Sequence, residues 1–163
     1  MSRDPIPTWY FALVVVRLGH RFLLVQETRH QHLWYLPAGR AEPGESLIDA
    51  AIRETREEAG IAVVIEGVLR MEHSPGPDGT ARVRAVFVAR PTDDSPVKSV
   101  PDEHSQGATW VSLDKLDRFP LRGDEVREIF EYVANGGTVF PLDALAFESD
   151  PWPTRRVPSR AKT

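Results

Sequence analysis

The sequence predicts an α/β domain, and three features carry that prediction. Residues 8–27 and 61–90 are rich in β-branched and aromatic residues, and each stretch is split by a turn signal in the manner of a hairpin. Two further stretches, after Ser46 and after Asp124, place apolar residues at helical spacing and stop at glycines. The resulting order of hairpin, helix, hairpin, short strand and helix suits helices packed on a sheet.

The first hairpin, "TWYFALVVVRLGHRFLLVQE", turns at Gly19-His20. "HLWYLPAGR" follows, and Pro37 makes it an edge strand or a loop, because proline cannot donate to a central ladder. Pro43-Gly44 marks a turn. Ser46 with Asp49 three residues on opens a helix in the capping-box pattern, and Gly60 ends it. Advancing ~100° per residue, Ile48, Ile52, Thr55 and Ala59 should form its packed face, with Glu54, Glu57 and Glu58 on the other side.

"IAVVIEGVLRMEH" and "ARVRAVFVAR" flank "SPGPDGT" as a second hairpin. "PTDDSPVKSVPDEH" reads as a polar loop leading into the short strand "ATWVS". In "DEVREIFEYVANGG", Val126, Ile129, Phe130 and Val133 make a helical stripe, Asp124 is the expected cap and Gly136-Gly137 the stop. The tail ending "DPWPTRRVPSRAKT" is proline-rich and basic, and should be extended or partly disordered.

With 163 residues, 41% hydrophobic and 27% charged, the chain suits one domain, assigned to residues 1–145, followed by the tail at 146–163. A net charge of −4 argues against a partner that is a nucleic acid polymer, since phosphate-backbone binding needs a clustered basic surface. The absence of cysteine excludes disulfides and thiolate metal sites, and fits a cytoplasmic protein. The apolar run Trp9 to Val16 is too short to span a bilayer and lacks a cleavage pattern, so no membrane association is expected.

Glutamates three and four apart on a helix repel, and the crowding of Glu54, Glu57 and Glu58 needs compensation. Arg53 and Arg56 supply part of it in the reading that takes this face as merely solvated. The surrounding spacing points elsewhere. From Gly39, five residues lead to Glu45, seven more to Arg53-Glu54, then come Glu57-Glu58 and Gly60-Ile61. This run of 23 residues resembles the Nudix box, Gx5Ex7REUxEExGU with U a bulky aliphatic. Thr55 departs from the first U, which should loosen packing there.

The resemblance implies a Nudix fold, an α/β/α sandwich with a central mixed sheet. It also implies hydrolysis of nucleoside diphosphates linked to a group X. Hard divalent cations, Mg²⁺ with Mn²⁺ as substitute, suit carboxylate ligands and activate water for attack on phosphorus. By resemblance Glu54, Glu57, Glu58 and the carbonyl of Ala38 are the metal ligands, and Glu45 with Arg53 forms an ion pair orienting the site. The general base is Glu54 or Glu58. A fourth carboxylate is expected from "PDEHSQGATW", with Glu103 first and Asp102 behind it; His104 also stands near.

Substrate selection lies outside the box. Trp34, Tyr35, Phe87 and Trp110 are candidates for base stacking, and Arg70, Arg82 and Arg84 for phosphates; each has a competing structural role. Pro77 lies sixteen residues past Ile61, as in ADP-ribose pyrophosphatases, but a turn explains it equally well. "WYLPAGRAEPGES", "VFVARPT" and "FPLR" are similar to an animal branch that hydrolyses 8-oxoguanine nucleoside diphosphates. An oxidised purine nucleotide is therefore the first expected substrate, with ADP-ribose or a nucleotide sugar as the alternative. A Nudix module that senses a nucleotide without cleaving it is the competing class. Some relatives form homodimers, and nothing in the sequence marks a pairing surface.

Overall fold

The computed structural model describes residues 4–152. Seven strands and two α-helices follow one another as β1 (Thr8–Leu18), β2 (Arg21–Glu27), β3 (Trp34–Tyr35), β4 (Ala38–Arg40), α1 (Leu47–Ala59), β5 (Val63–Pro75), β6 (Ala81–Pro91), β7 (Ser105–Ser112) and α2 (Glu125–Ala134). The sheet runs β3-β2-β1-β6-β5, with β4 paired to β1 and β7 to β2. It is mixed: β1 lies parallel to β6, and the other pairs are antiparallel.

Strand alternation divides the core in two. Ala12, Val14 and Val16 of β1 point to one face, where they meet Phe87 of β6 and Ala50, Ala51 and Ala59 of α1. Leu13 and Val15 point to the other, where they meet Val126, Phe130 and Val133 of α2. Helices thus cover both faces of the sheet, as the expected α/β/α sandwich requires. Phe22 and Phe130 stack at 4.5 Å and are the largest side chains fixing α2.

Both hairpins form where expected, and Gly19 takes the φ of +61° that the first turn needs. Ser46 caps α1 by accepting the Asp49 N–H at 3.0 Å, and Gly60 closes it at φ +74°. Four features differ from expectation. The packed face of α1 is Ala50, Ala51, Thr55 and Ala59, while Ile52 is exposed; small side chains let the helix lie close to the sheet, so alanines take the places aliphatic size had suggested. Thr55 is fully buried, and its hydroxyl donates to the Ala51 carbonyl at 2.8 Å, so the helix loses no packing there.

Asp124 has helical backbone angles and its side chain caps nothing. The "AGR" after Pro37 is a strand, β4, pairing with β1 through Phe11–Arg40, Ala12–Gly39 and Leu13–Ala38. Most of the proline-rich tail lies outside the described residues. Among the described residues, no helix is long and apolar enough to cross a membrane.

Phe130→Ala should remove a fully buried ring stacked on Phe22 and destabilise the fold by about 3–5 kcal/mol, read as a shift in the urea unfolding midpoint. A loss below about 1 kcal/mol would mean that α2 is not held by this stack.

Candidate active site

The box helix does not present its carboxylates to open water. Pairing of β4 with β1 brings Ala38 and Gly39 over the flank of α1, and the glutamates meet them there. Glu58 Oε2 accepts the Ala38 N–H at 3.0 Å. The Glu54 carboxyl occupies the space beside Gly39 so closely that a Cβ at Gly39 would lie 1.8 Å from Glu54 Cδ. Asp49, Ile52 and Arg56 take the exposed side of the helix instead. The expected division of α1 into an apolar side and a carboxylate side is therefore corrected: the carboxylates flank the packed stripe and are partly covered.

Arg53 ties this group together. Its guanidinium grips Glu45 with two hydrogen bonds of 2.8 and 2.9 Å, meets Glu54 at 2.8 Å and Glu57 at 3.2 Å, and donates to the Arg40 carbonyl at 3.0 Å. The loop-to-helix ion pair expected between Glu45 and Arg53 is thus in place. These hydrogen bonds push the Arg53 pKa up and hold the Glu45 carboxyl below its usual range.

Glu58 has no such cation. Burial, then the charges of Glu54 and Glu27, push its carboxyl up to about 8, against the opposing effects of the Ala38 N–H and Lys98. Burial also raises Glu54, with the Arg53 hydrogen bond opposing it. In this arrangement, among the described residues, no three His, Cys, Asp or Glu side chains are gathered to hold a metal ion. Glu54 and Glu57 are drawn to Arg53 and would have to rotate. The donor chemistry nevertheless fits a hard divalent cation, for the oxygens are carboxylate and carbonyl, and Glu58 sits in a charge environment that a cation would relieve.

A cleft of about 490 Å³ opens beside these residues. Ala38, Gly39 and Glu58 form part of its wall, together with Glu103 and His104 from the loop before β7. Glu103 is 87% exposed and reaches only His104, whereas Asp102 is committed to the loop: Lys98 holds it at a pKa of about 2, and it accepts the His104 and Ser105 N–H groups. His104 also approaches Glu57 at 3.5 Å.

Of the residues expected to select substrate, Tyr35 and Arg82 line the cleft. Arg82 lies over the Phe11 ring at 4.5 Å. Trp34, Arg84, Phe87, Arg70 and Trp110 do not line it. Trp34 meets Phe119 edge to face, Phe87 is fully buried, and Arg84 is bound by Glu72 and by Glu125 at 2.9 Å. Arg70 pairs with Glu72 at 3.5 Å, and Trp110 packs on the α1 side of the core. Packing and ion pairing absorb these side chains, which composition alone could not foresee.

Sequence reasoning missed Glu27 and Arg122, both in the cleft and joined at 2.7 Å. The only signal for Arg122 was its place in "FPLR". It also missed Lys98, which donates to the Glu57 carbonyl at 2.6 Å and so anchors the loop before β7 to α1.

Comparison with known proteins identifies the family. A family model for the NUDIX domain matches residues 8–133. The 8-oxo-dGDP phosphatase NUDT18 of Homo sapiens is 38% identical over 115 residues, covering 69% of this chain and 34% of that protein. The chain thus spans about a third of the length of that relative. Phosphatase NudJ of Escherichia coli (strain K12) is 33% identical over 133 residues, covering 80% of this chain and 86% of that protein. A NUDIX hydrolase from Nitrosomonas europaea superposes with a TM-score of 0.72 at 28% identity, covering 86% of this chain and 97% of that one. With the family model spanning most of the described residues and the box helix, its arginine fork and the cleft all in place, the chain belongs to the NUDIX family.

Proposed function

We propose that this protein hydrolyses the phosphoanhydride bond of a nucleoside diphosphate-X compound with the help of a divalent cation, and that its substrate is an oxidised purine nucleoside diphosphate of the 8-oxo-(d)GDP type. The observation that carries the hydrolytic reading is Glu58: a buried carboxyl group in the cleft wall, beside Glu54, that no basic side chain pairs directly among the described residues. The substrate class rests on the likeness to the 8-oxo-dGDP phosphatase. Pro77, the marker shared with ADP-ribose pyrophosphatases, is an exposed turn residue and does not line the cleft, so the alternative gains no support from it.

In this reading Glu54, Glu57, Glu58 and the Ala38 carbonyl would hold Mg²⁺, or Mn²⁺ in its place, and the bound ion would supply charge neutralisation for the phosphates and a water of lowered pKa. The chain's own residues do the rest. Arg53 ties loop, helix and strand together through Glu45, Glu54 and the Arg40 carbonyl, so only the Glu54 and Glu57 side chains need turn to complete the ligand set. Glu54 or Glu58 takes the proton of the water as its oxygen attacks phosphorus. The bond to the leaving phosphate breaks, giving a nucleoside monophosphate and phosphate. Arg82, free of any carboxylate partner among the described residues and held flat on Phe11, stands ready to meet phosphate or base. Glu103, from the exposed rim, completes the acidic set. The protein acts in the cytoplasm on a small-molecule nucleotide, as a monomer or homodimer.

The reading is tested with a panel of 8-oxo-dGDP, 8-oxo-dGTP, ADP-ribose, nucleotide sugars and dinucleoside polyphosphates, with Mg²⁺, Mn²⁺ or chelator. Release of monophosphate from the oxidised nucleotide, abolished by chelator, is the expected result. Glu58→Gln or Glu57→Gln should fold normally and lower turnover at least ~100-fold. Cleavage of none of these by folded, metal-loaded protein would favour a nucleotide-sensing role.

A second outcome follows from the charge on Glu58. Its carboxyl is pushed from the ordinary 4.5 to about 8, so the folded state retains a proton that the unfolded chain releases across that window. The stability it contributes is present at low pH and is lost as pH rises from about 4.5 to 8. In chelator, the melting temperature of wild type minus that of Glu58→Gln should therefore fall over this range. Excess Mg²⁺ should raise the wild-type value at pH 8 and leave the variant nearly unchanged. A flat difference in chelator would contradict the charge environment described for Glu58.

A further inference from the structure

Glu27 closes β2, and Arg122 lies in the segment that leads into α2, yet the two meet in the cleft. Arg122 donates to Glu27 Oε1 at 2.7 Å, and its guanidinium lies over the Tyr35 ring at 4.7 Å. Both backbones are anchored at the start of β3, since the Glu27 N–H donates to the Leu33 carbonyl at 3.0 Å and the Arg122 N–H to the Trp34 carbonyl at 2.9 Å. The pair is therefore held in place by main chain as well as by its own charge.

The second oxygen of Glu27 has no partner. Oε2 is the one buried side-chain polar atom among the described residues that makes no hydrogen bond. A buried carboxylate oxygen left unpaired costs free energy that native folds rarely spend without use. Glu27 and Arg122 both line the cleft, and beside this buried, unpaired acceptor Arg122 offers the N–H donors that Glu27 does not use. One acceptor next to one cluster of donors reads a ligand edge carrying one donor next to one acceptor.

We propose that Glu27 and Arg122 form the base-reading element of the site and select purines oxidised at C8. This inference rests on the substrate class proposed above. Oxidation at C8 converts N7 from a bare acceptor into an N–H donor and adds a carbonyl oxygen beside it. Glu27 Oε2 accepts from that N7–H, and Arg122 donates to the neighbouring carbonyl oxygen at C8 or C6. An unoxidised purine turns its N7 lone pair toward the carboxylate, which repels it and leaves Oε2 unpaired. Selectivity arises as much from that penalty as from the hydrogen bond that the oxidised base makes. The Tyr35 ring lies under the guanidinium, and its own hydroxyl donates to Glu125. The "FPLR" sequence thereby acquires a role: it delivers Arg122 to the base.

The test is kcat/KM of wild type and Glu27→Gln with 8-oxo-dGDP, dGDP, 8-oxo-dADP and dADP in Mg²⁺. The two oxidised nucleotides share the N7–H and the C8 carbonyl and differ on the edge that carries N1, so they separate the two edges. Wild type should prefer each oxidised nucleotide over its parent. Glutamine keeps an oxygen for Arg122 and presents an amide N–H in place of Oε2. The preference should therefore collapse by roughly tenfold to a hundredfold, the oxidised nucleotides losing more than their parents.

Should the variant fail to fold by circular dichroism, wild type decides the matter with 7-deaza-8-oxo-dGDP, whose C–H at that position should erase the preference. An unchanged preference in Glu27→Gln, an equal fall for all four nucleotides, or a wild type that does not distinguish oxidised from parent would each overturn the assignment. Cleavage of ADP-ribose but of none of the four would overturn the substrate class along with it. Cleavage of the oxidised nucleotides with selectivity insensitive to Glu27 would remove only the base-reading role.

Discussion

Carboxylates crowded on one turn of a helix and pressed against a strand repel one another, and the Arg53 guanidinium is what lets them stand together. It reaches the loop through Glu45, its own helix through Glu54 and Glu57, and β4 through the Arg40 carbonyl. The fork geometry of arginine is essential to this, because a lysine ammonium could not span three carboxylates and a carbonyl in one plane. Arg53 is a quarter exposed, so its value lies less in net stability than in fixing where each oxygen sits. What it leaves without a basic partner is Glu58, one helical position beyond its reach in the cleft wall, and burial there makes its ionised form costly until a cation joins it.

The cleft consequently combines two chemistries. In one, the box helix and β4 gather oxygens that suit a hard cation and, through it, phosphates. In the other, Glu27 and Arg122, the latter lying over the Tyr35 ring, present an acceptor and donors that suit the edge of a base. Phe11 with Arg82 stacked on it lies along the same wall. A nucleotide carries both chemistries, joined by a sugar, and a cleft of about 490 Å³ is within the range of small-molecule sites.

The parts legible in the sequence were those set by neighbours in the chain. Gly19 and Gly60 announced their turns because few residues other than glycine adopt positive φ readily, and Ser46 announced a cap because its hydroxyl can reach the helix N–H groups. The box was legible for the same reason: its glutamates are spaced by the helix itself. Strand β4 was hidden because Pro37 and Gly39 read as loop, although Gly39 is there to admit the Glu54 carboxyl. In α1, Thr55 and Ala59 pack as expected and Ile48 meets the core. Ile52 was misplaced and Ala50 and Ala51 overlooked, because hydrophobicity ranks isoleucine above alanine while close approach of helix to sheet ranks them the other way. Glu27 and Arg122 stand 95 positions apart, and no local pattern joins them. Trp34, Phe87 and Arg84 looked as suited to ligand as to core, and only tertiary packing decided the matter.

The central claim is that the carboxylates flanking α1 are arranged for a divalent cation, with Glu58 at the heart of the set. Titration of metal-free protein with Mn²⁺ at pH 8, followed by the loss of the free-ion electron paramagnetic resonance signal, tests it most directly. Wild type should take up Mn²⁺, and Glu58→Gln should weaken the uptake by at least the roughly tenfold loss seen when only a ligand's hydrogen-bond partner is removed. Equal uptake by the two proteins, or none by wild type, would contradict the account.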